Sequence, residues 1–394
     1  MAVDVYKLAK VVVASPGSLH LRYQCIVSQL YPDSSSYASN VHGANILVIT
    51  GDHVGESPRV AKTSQLKARL LSYNQQEMFG VKIIFITLLT MALFCYIRLW
   101  IWHAIPREQV APPKYVGFSL NWGRMGNQLF HLVTGYGIAR TLGRVHYLPK
   151  SGPLDHVKRY LKVFDKVFPA LRESYVLMPN GSVEARVPFV GSCCGYEDPR
   201  RYLNHSATYL HLNFIYGQNP RFFEPYLDDV RRLLKFSEIF AKEGDYQIKT
   251  LEAPLNSMMC IHIRRGDFVN IKVETNVNET IRAVNNISEE MRTSRFMIFG
   301  DDQGFMRNLS HLIASSRNIS ENAVLISNFS DTMDLYLSSR LCNSFLITAV
   351  TSTFGWWLAF FIENQNAVYY LLDNRRQADK VPSKELFLKP WHPI

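Results

Sequence analysis

From Ile83 to Trp102 the chain runs for 20 residues with a single charged side chain, Arg98. At about 1.5 Å per helical residue, such a stretch crosses a ~30 Å hydrocarbon core. Arg98 falls near its far end among Tyr96, Trp100 and Trp102, where a long side chain reaches the interface beside an aromatic belt. A buried core helix is the bland alternative. A cleaved signal peptide is another, but bulky Leu99-Trp100-Ile101-Trp102 stands where a small-residue cleavage site belongs. Upstream, Arg59, Lys62, Lys67, Arg69 and Lys82 favour a cytosolic N-terminus. Downstream lie seven Asn-x-Ser/Thr acceptors, Asn180, Asn204, Asn278, Asn286, Asn308, Asn318 and Asn328, and none lies upstream. Such acceptors are used only on lumenal or extracellular surfaces. Both signals predict a single-pass type II anchor with the bulk of the chain lumenal.

This division organises the remainder. Residues 1–82 read as a cytosolic tail, of little order up to residue 77, with an internal start at Met78 as a second reading of where it begins. Residues 83–102 are the transmembrane signal anchor and 103–114 a stem in which Pro112-Pro113 disfavours helix. An apolar share of 47% over 394 residues leaves room for two domains with sizeable cores. The net charge of +10 is a mild basic bias that suits an anionic ligand. No basic stripe interleaved with aromatics appears, which argues against nucleic acid. The six cysteines have no zinc-like spacing, and Cys260 and Cys342 read as buried free thiols.

Beyond the stem, apolar runs alternate with helical spacing. Tyr115–Phe118 reads as a strand leading to a glycine turn at Gly123–Gly126 and a helix over Asn127–Leu142. Residues 115–255 form a first α/β domain. From 256 to 394, strands are predicted at Met258–Ile263, Phe296–Phe299, Val324–Ile326, Phe345–Thr348 and Val368–Leu371. Helices are predicted between them at Glu279–Arg292, Gly304–Ser316, Thr332–Leu341 and Phe354–Glu363. Strand-helix alternation implies a mostly parallel sheet covered on both faces, with ligands at the strands' carboxyl ends. The stretch His262-Ile263-Arg264-Arg265-Gly266-Asp267 falls at such an end. Two forked guanidiniums there match phosphate oxygens better than lysine does. An ordinary surface loop with Asp267 paired to either arginine is the competing reading.

Four ordered motifs carry a resemblance. The His262–Asp267 stretch resembles the first signature of the α1,2-fucosyltransferases, glycosyltransferase family 11, with related forms in the α1,6- and protein O-fucosyltransferases. Gly123-Arg124-Met125-Gly126-Asn127-Gln128-Leu129-Phe130 resembles the family's Gly-x-x-Gly-Asn-Gln-x-Phe opening. Phe299-Gly300-Asp301-Asp302 resembles its Phe-Ser-Asp-Asp element. Thr351-Ser352-Thr353-Phe354-Gly355-Trp356-Trp357, preceded by Asp334-Leu335, resembles its Asn-Ser-Thr-Phe-Ser-Trp-Trp element, departing at Thr351 and Gly355.

The resemblance implies a GT-B-like α/β fold, two Rossmann-like domains facing a cleft. Residues 115–255 would serve the acceptor and 256–394 would bind GDP-fucose. It implies transfer of L-fucose from GDP-β-L-fucose, with inversion, to the 2-hydroxyl of a galactose-terminated glycan in the Golgi membrane. The β-phosphate gains charge as it leaves, so something positive must meet it. The sequence contains no Asp-x-Asp, the motif that many glycosyltransferases use to hold a metal. The expected site therefore needs no metal and no cofactor. Arg264 is the expected diphosphate contact and Asp267 the nearest carboxylate for a base, although an arginine partner would weaken it. Glu274 is a second carboxylate within reach along the chain. His262, Arg265, Asp301, Asp302, Ser352, Thr353, Phe354, Gly126, Asn127 and Gln128 are the expected substrate-binding residues. Ser352, Thr353 and the start of the Phe354 helix would form a phosphate cradle. The aspartates capping the next helix, and Trp356 and Trp357 as core, are the structural alternatives. A fucosyltransferase of other linkage and a catalytically silent, membrane-anchored sugar-binding protein are the competing functions.

Overall fold

The computed structural model describes residues 63–104, 112–377, 380 and 384–394. The expected tail up to residue 62 and most of the expected stem lie outside the described residues. The chain divides into two compact units, Met1–Arg107 and Glu108–Ile394.

In the first unit, helix α1 spans Thr63–Ala104. It begins well upstream of the apolar stretch, because Gln65-Leu66-Lys67-Ala68-Arg69-Leu70 are good helix formers. Residues 63–77, expected to have little order, are thus helical. Lys82–Trp102 is 21 residues, long and apolar enough to cross a membrane. Its large side chains are uncovered by protein, Phe94 at 62% exposure and Trp100 at 64%. The Arg98 guanidinium lies 5.6 Å from the Phe94 ring centroid.

The second unit holds two parallel sheets. The first contains β1 (Tyr115–Phe118), β2 (Val145–Leu148), β3 (Val176–Leu177), β4 (Glu184–Pro188) and β5 (Tyr209–Asn213) in the order β3-β2-β1-β5-β4. Its helices are α2 (Met125–Leu142) and α3 (Leu154–Val167), followed by α4 (Leu227–Leu233) and α5 (Glu238–Thr250). The second sheet contains β6 (Met258–Ile263), β7 (Phe296–Gly300), β8 (Val324–Ile326), β9 (Cys342–Ile347), β10 (Val368–Tyr370) and β11 (His392–Pro393). Their order is β11-β10-β9-β6-β7-β8, again parallel throughout. Between them run α6 (Gly266–Asn270), α7 (Val277–Glu290), α8 (Gln303–Arg317), α9 (Asp331–Leu341) and α10 (Thr353–Phe361).

Local sequence explains these elements. All six residues of β6 are buried, as a strand covered on both faces requires. Helix α8 buries Met306, Leu309 and Ile313 along one stripe, starts at an Asp302 cap and ends at Asn318 in the left-handed region, φ 52°. Helix α5 precedes the expected domain boundary yet packs on α9. A Cβ on its Gly244 would lie 2.1 Å from the Tyr336 ring.

Helices α2 and α10 join the sheets. Trp357 of α10 donates its indole N–H to the Gly126 carbonyl of α2 at 2.9 Å. Phe130 of α2 packs against Trp356 and Trp357, with ring centroids 4.8 and 4.9 Å apart. Both tryptophans are core, as the structural alternative held.

Cys260 and Cys342, expected as free thiols, form a disulfide with their Cα atoms 5.5 Å apart. The reason is non-local. β6 lies beside β9, and a register irregularity after Met258 sets the pairing there. The bridge closes a sequence separation of 82 residues. Cys342→Ser is expected to lower the unfolding free energy by about 4 kcal/mol on the loop-closure account. Denaturant unfolding of the two full chains checks this, and equal midpoints would refute it.

Candidate active site

A cavity of about 420 Å³ opens where loops from the carboxyl ends of both sheets converge. The loop from β1 into α2 contributes Trp122 to Asn127, and Tyr216 and Gln218 follow β5. The second sheet contributes His262, Arg264, Asp267 and Asp301, then Asp331, Asp334 and Thr351 to Phe354. Lys380 completes that side.

Arg264 is 8% exposed. Its backbone N–H donates to Thr275 Oγ1 at 2.9 Å, which pins the loop just after β6. Its guanidinium pairs with Asp301 Oδ2 at 3.0 Å and with Asp267 Oδ1, and lies 5.0 Å from the Phe268 ring centroid. Asp267 Oδ1 also meets Arg124 of the first sheet's loop, at 3.5 Å. The adjacent Arg265 points elsewhere. It pairs with Asp302 Oδ2 at 3.2 Å, lies over the Phe305 ring and does not line the cavity. The alternative pairing of Arg265 with Asp267 is not formed.

The two aspartates after β7 divide their work. Asp301 accepts the Arg265 backbone N–H at 2.8 Å and braces Arg264. Asp302 accepts the Phe305 N–H at 2.9 Å, the helix cap foreseen as the structural alternative. Gln128 likewise faces away from the cavity. Its amide nitrogen donates to Gly123 O at 2.8 Å and to Asn121 at 3.1 Å, so it holds the glycine turn. Gly126 and Asn127 do line the cavity. A Cβ on Gly126 would sit 2.7 Å from Thr353 Oγ1, so glycine permits the close approach of α2 to α10.

His262 is buried, and burial pushes its imidazole down to about 4, so the ring is neutral at physiological pH. Its Nδ1 has no hydrogen-bond partner. Gly355 packs on that ring. A Cβ there would lie 2.4 Å from Nδ1, so glycine lets the helix backbone close on the ring. Ser352 precedes α10 with extended backbone and makes no side-chain cap, leaving its hydroxyl and the first helical N–H groups to the cavity. Thr351 has a buried hydroxyl without a partner.

Glu274 does not line the cavity. It sits 4.0 Å from Arg375, which also takes its backbone carbonyl at 2.9 Å. Asp334, noted only as part of a motif, lines the cavity, accepts from Ser327 Oγ and is pushed up to about 8 by burial. Arg124, Trp122, Gln218 and Lys380 were not foreseen. Trp122 adjoins the glycine turn and Arg124 lies within the Gly123–Phe130 motif, so both had a local signal. Lys380 had none. Among the described residues, no three His, Cys, Asp or Glu side chains converge as metal ligands would.

The glycosyl transferase family 11 profile matches residues 199–394. A Caenorhabditis elegans protein described as galactoside 2-alpha-L-fucosyltransferase is 30% identical over 259 residues, 62% of this chain and 69% of that relative. A second from the same organism, a putative galactoside 2-alpha-L-fucosyltransferase, is 26% identical over 325 residues, 77% of this chain and 87% of its own. Among solved structures, a mutant of Arabidopsis thaliana FUT1 in complex with GDP is 12% identical with a TM-score of 0.42, covering 70% of this chain and 75% of that one. The chain belongs to glycosyl transferase family 11.

Because Asp334 is raised to about 8 from an ordinary carboxylate value, the folded state holds a proton that the unfolded state releases between about pH 4 and 8. Stability contributed by the neutral acid is therefore lost as pH rises through that window. Asp334→Asn cannot ionise. Its melting temperature is expected to gain on the parent from pH 4 to 8 and to gain no further above, read by thermal unfolding across pH. A constant difference would refute it.

Proposed function

We propose that the protein moves L-fucose from GDP-β-L-fucose to the 2-hydroxyl of a terminal β-galactoside, inverting the sugar to the α-linkage. The observation that carries this reading is Arg264. A buried guanidinium shares one cavity with the uncapped start of α10, in a chain of this family. Both are preorganised donors for phosphate oxygens.

On this reading the second sheet serves the donor and the first the acceptor, two Rossmann-like halves of a GT-B cleft. The acceptor hydroxyl attacks the fucose anomeric carbon as the bond to the β-phosphate oxygen breaks. GDP leaves with the electron pair, and Arg264 meets the charge that develops on it. Asp267 is the carboxylate this reading offers for the hydroxyl proton, as a base weakened by its arginine partners. Its Oδ1 is engaged by two arginines, and its Oδ2 has no partner among the described residues. Trp122, 71% exposed at the cavity, and Tyr216 offer flat apolar faces to a sugar ring. The positive charges belong to side chains, so turnover requires no divalent cation. We place the protein in the Golgi membrane as a single-pass type II chain with this unit in the lumen. All seven acceptor asparagines are exposed there.

Detergent-solubilised full chain, incubated with GDP-fucose and lactose, is expected to give a 2-linked fucosyl product. Any other linkage, or none, counts against the reading. Arg264→Ala should lower turnover about 10²–10³-fold, the usual loss for one preorganised donor. Undiminished transfer would be incompatible with its role. Excess EDTA should leave the rate unchanged, and a loss restored by Mn²⁺ would overturn the cation-free mechanism.

A further inference from the structure

The arginines of the cavity do not supply unmatched positive charge. Arg264 is paired with Asp267 and Asp301, and Arg124 shares Asp267. Lys380 is different. It is 7% exposed, and its ammonium donates to two neutral acceptors, Gln218 Oε1 and the Thr351 carbonyl, each at 2.8 Å. Among the described residues no carboxylate lies within ion-pair distance of it. Its backbone is fixed by a pair of hydrogen bonds with Gln377, of 2.9 and 3.1 Å. A buried ammonium without a counter-charge is costly, and burial accordingly pushes Lys380 below the usual lysine value.

Its neighbourhood adds to that cost. Thr351 is the residue before Ser352, so Lys380 stands beside the N-terminus of α10, whose dipole already presents positive charge. Nothing capping that helix offsets it. The Thr351 hydroxyl is buried there with no partner. A cation, a helix N-terminus and an unsatisfied hydroxyl converge on one side of the cavity. An entering anion would relieve all three at once.

We propose that Lys380 binds the diphosphate of the nucleotide donor, serving as the cavity's reserved counter-charge while Gln218 and Thr351 hold it in place. The proposal rests on the fucosyl-transfer reading, because that reading supplies the diphosphate. Gln218 comes from the first half of the unit, and its amide also donates to Asn127 Oδ1. The ammonium is thus positioned by both sides of the cleft.

Isothermal titration of the full chain with GDP and with guanosine tests this. Lys380→Met removes the charge and keeps the unbranched stem. It is expected to weaken GDP at least tenfold and leave guanosine within a factor of two. Equal loss of both ligands would mean general damage to the cavity, and no loss of either would mean no phosphate contact; each overturns the proposal. A parent chain that binds neither ligand would overturn the fucosyl-transfer reading and this proposal with it. Retained GDP binding in Lys380→Met overturns this proposal alone. Should the variant not fold, lysine-selective ¹⁵N labelling of the parent provides the second measurement. The Lys380 Nζ resonance is expected to shift with GDP and not with guanosine, and a resonance indifferent to GDP refutes the contact.

Discussion

Trp357 reaches from the second sheet to the Gly126 carbonyl of the first sheet's leading helix, and the cavity owes its shape to that hydrogen bond and the aromatic packing around it. Phe130, Phe223 and both tryptophans fill the seam with offset and edge-on contacts. Such pairs are worth about 0.5–1.5 kcal/mol each beyond the area they bury. The seam needs Gly126, because any side chain there would drive α2 off Thr353. A motif that reads as a ligand loop is therefore first a packing device. Its cavity-lining atoms are placed by the same contact that closes the core.

The charged residues follow a different logic. Carboxylates surround Arg264 closely enough to fix its orientation before any ligand arrives. Preorganisation of this kind spares the guanidinium its rotamer entropy at the moment of binding. The same pairing offsets its charge, so anion affinity depends on the groups that remain unmatched. Side-chain identity alone would count two adjacent arginines as twice the charge. The backbone sends Arg264 into the cavity and Arg265 onto Phe305, and only the first lines the site.

Much of the second sheet was legible. Met258–Ile263 and Val324–Ile326 coincide with the buried β6 and the edge strand β8, because both read as short apolar runs with charged or polar residues at their ends. The interior of the first half resisted. β3 has two residues and β4 ends in a proline, too little for any periodicity to register. β11 is the two-residue His392–Pro393, and only its pairing with β10 makes it a strand. At the site, motif spacing located Arg264, Ser352 and Thr353 but not their orientation. It could not separate Asp301, which faces the cavity, from Asp302, which caps α8. The disulfide and Lys380 were out of reach for one reason. Each depends on a long-range neighbour, β9 beside β6 in one case and Gln218 beside residue 380 in the other.

The Gly355 backbone and the His262 ring occupy touching space, so the end of β6 and the start of α10 are matched surfaces rather than interchangeable parts. A helix start carrying a side chain at position 355 would displace the imidazole unless the end of β6 moved with it. The strand end and the helix start are therefore a matched pair, and a change to either one alone carries a misfit to the wall of the cavity.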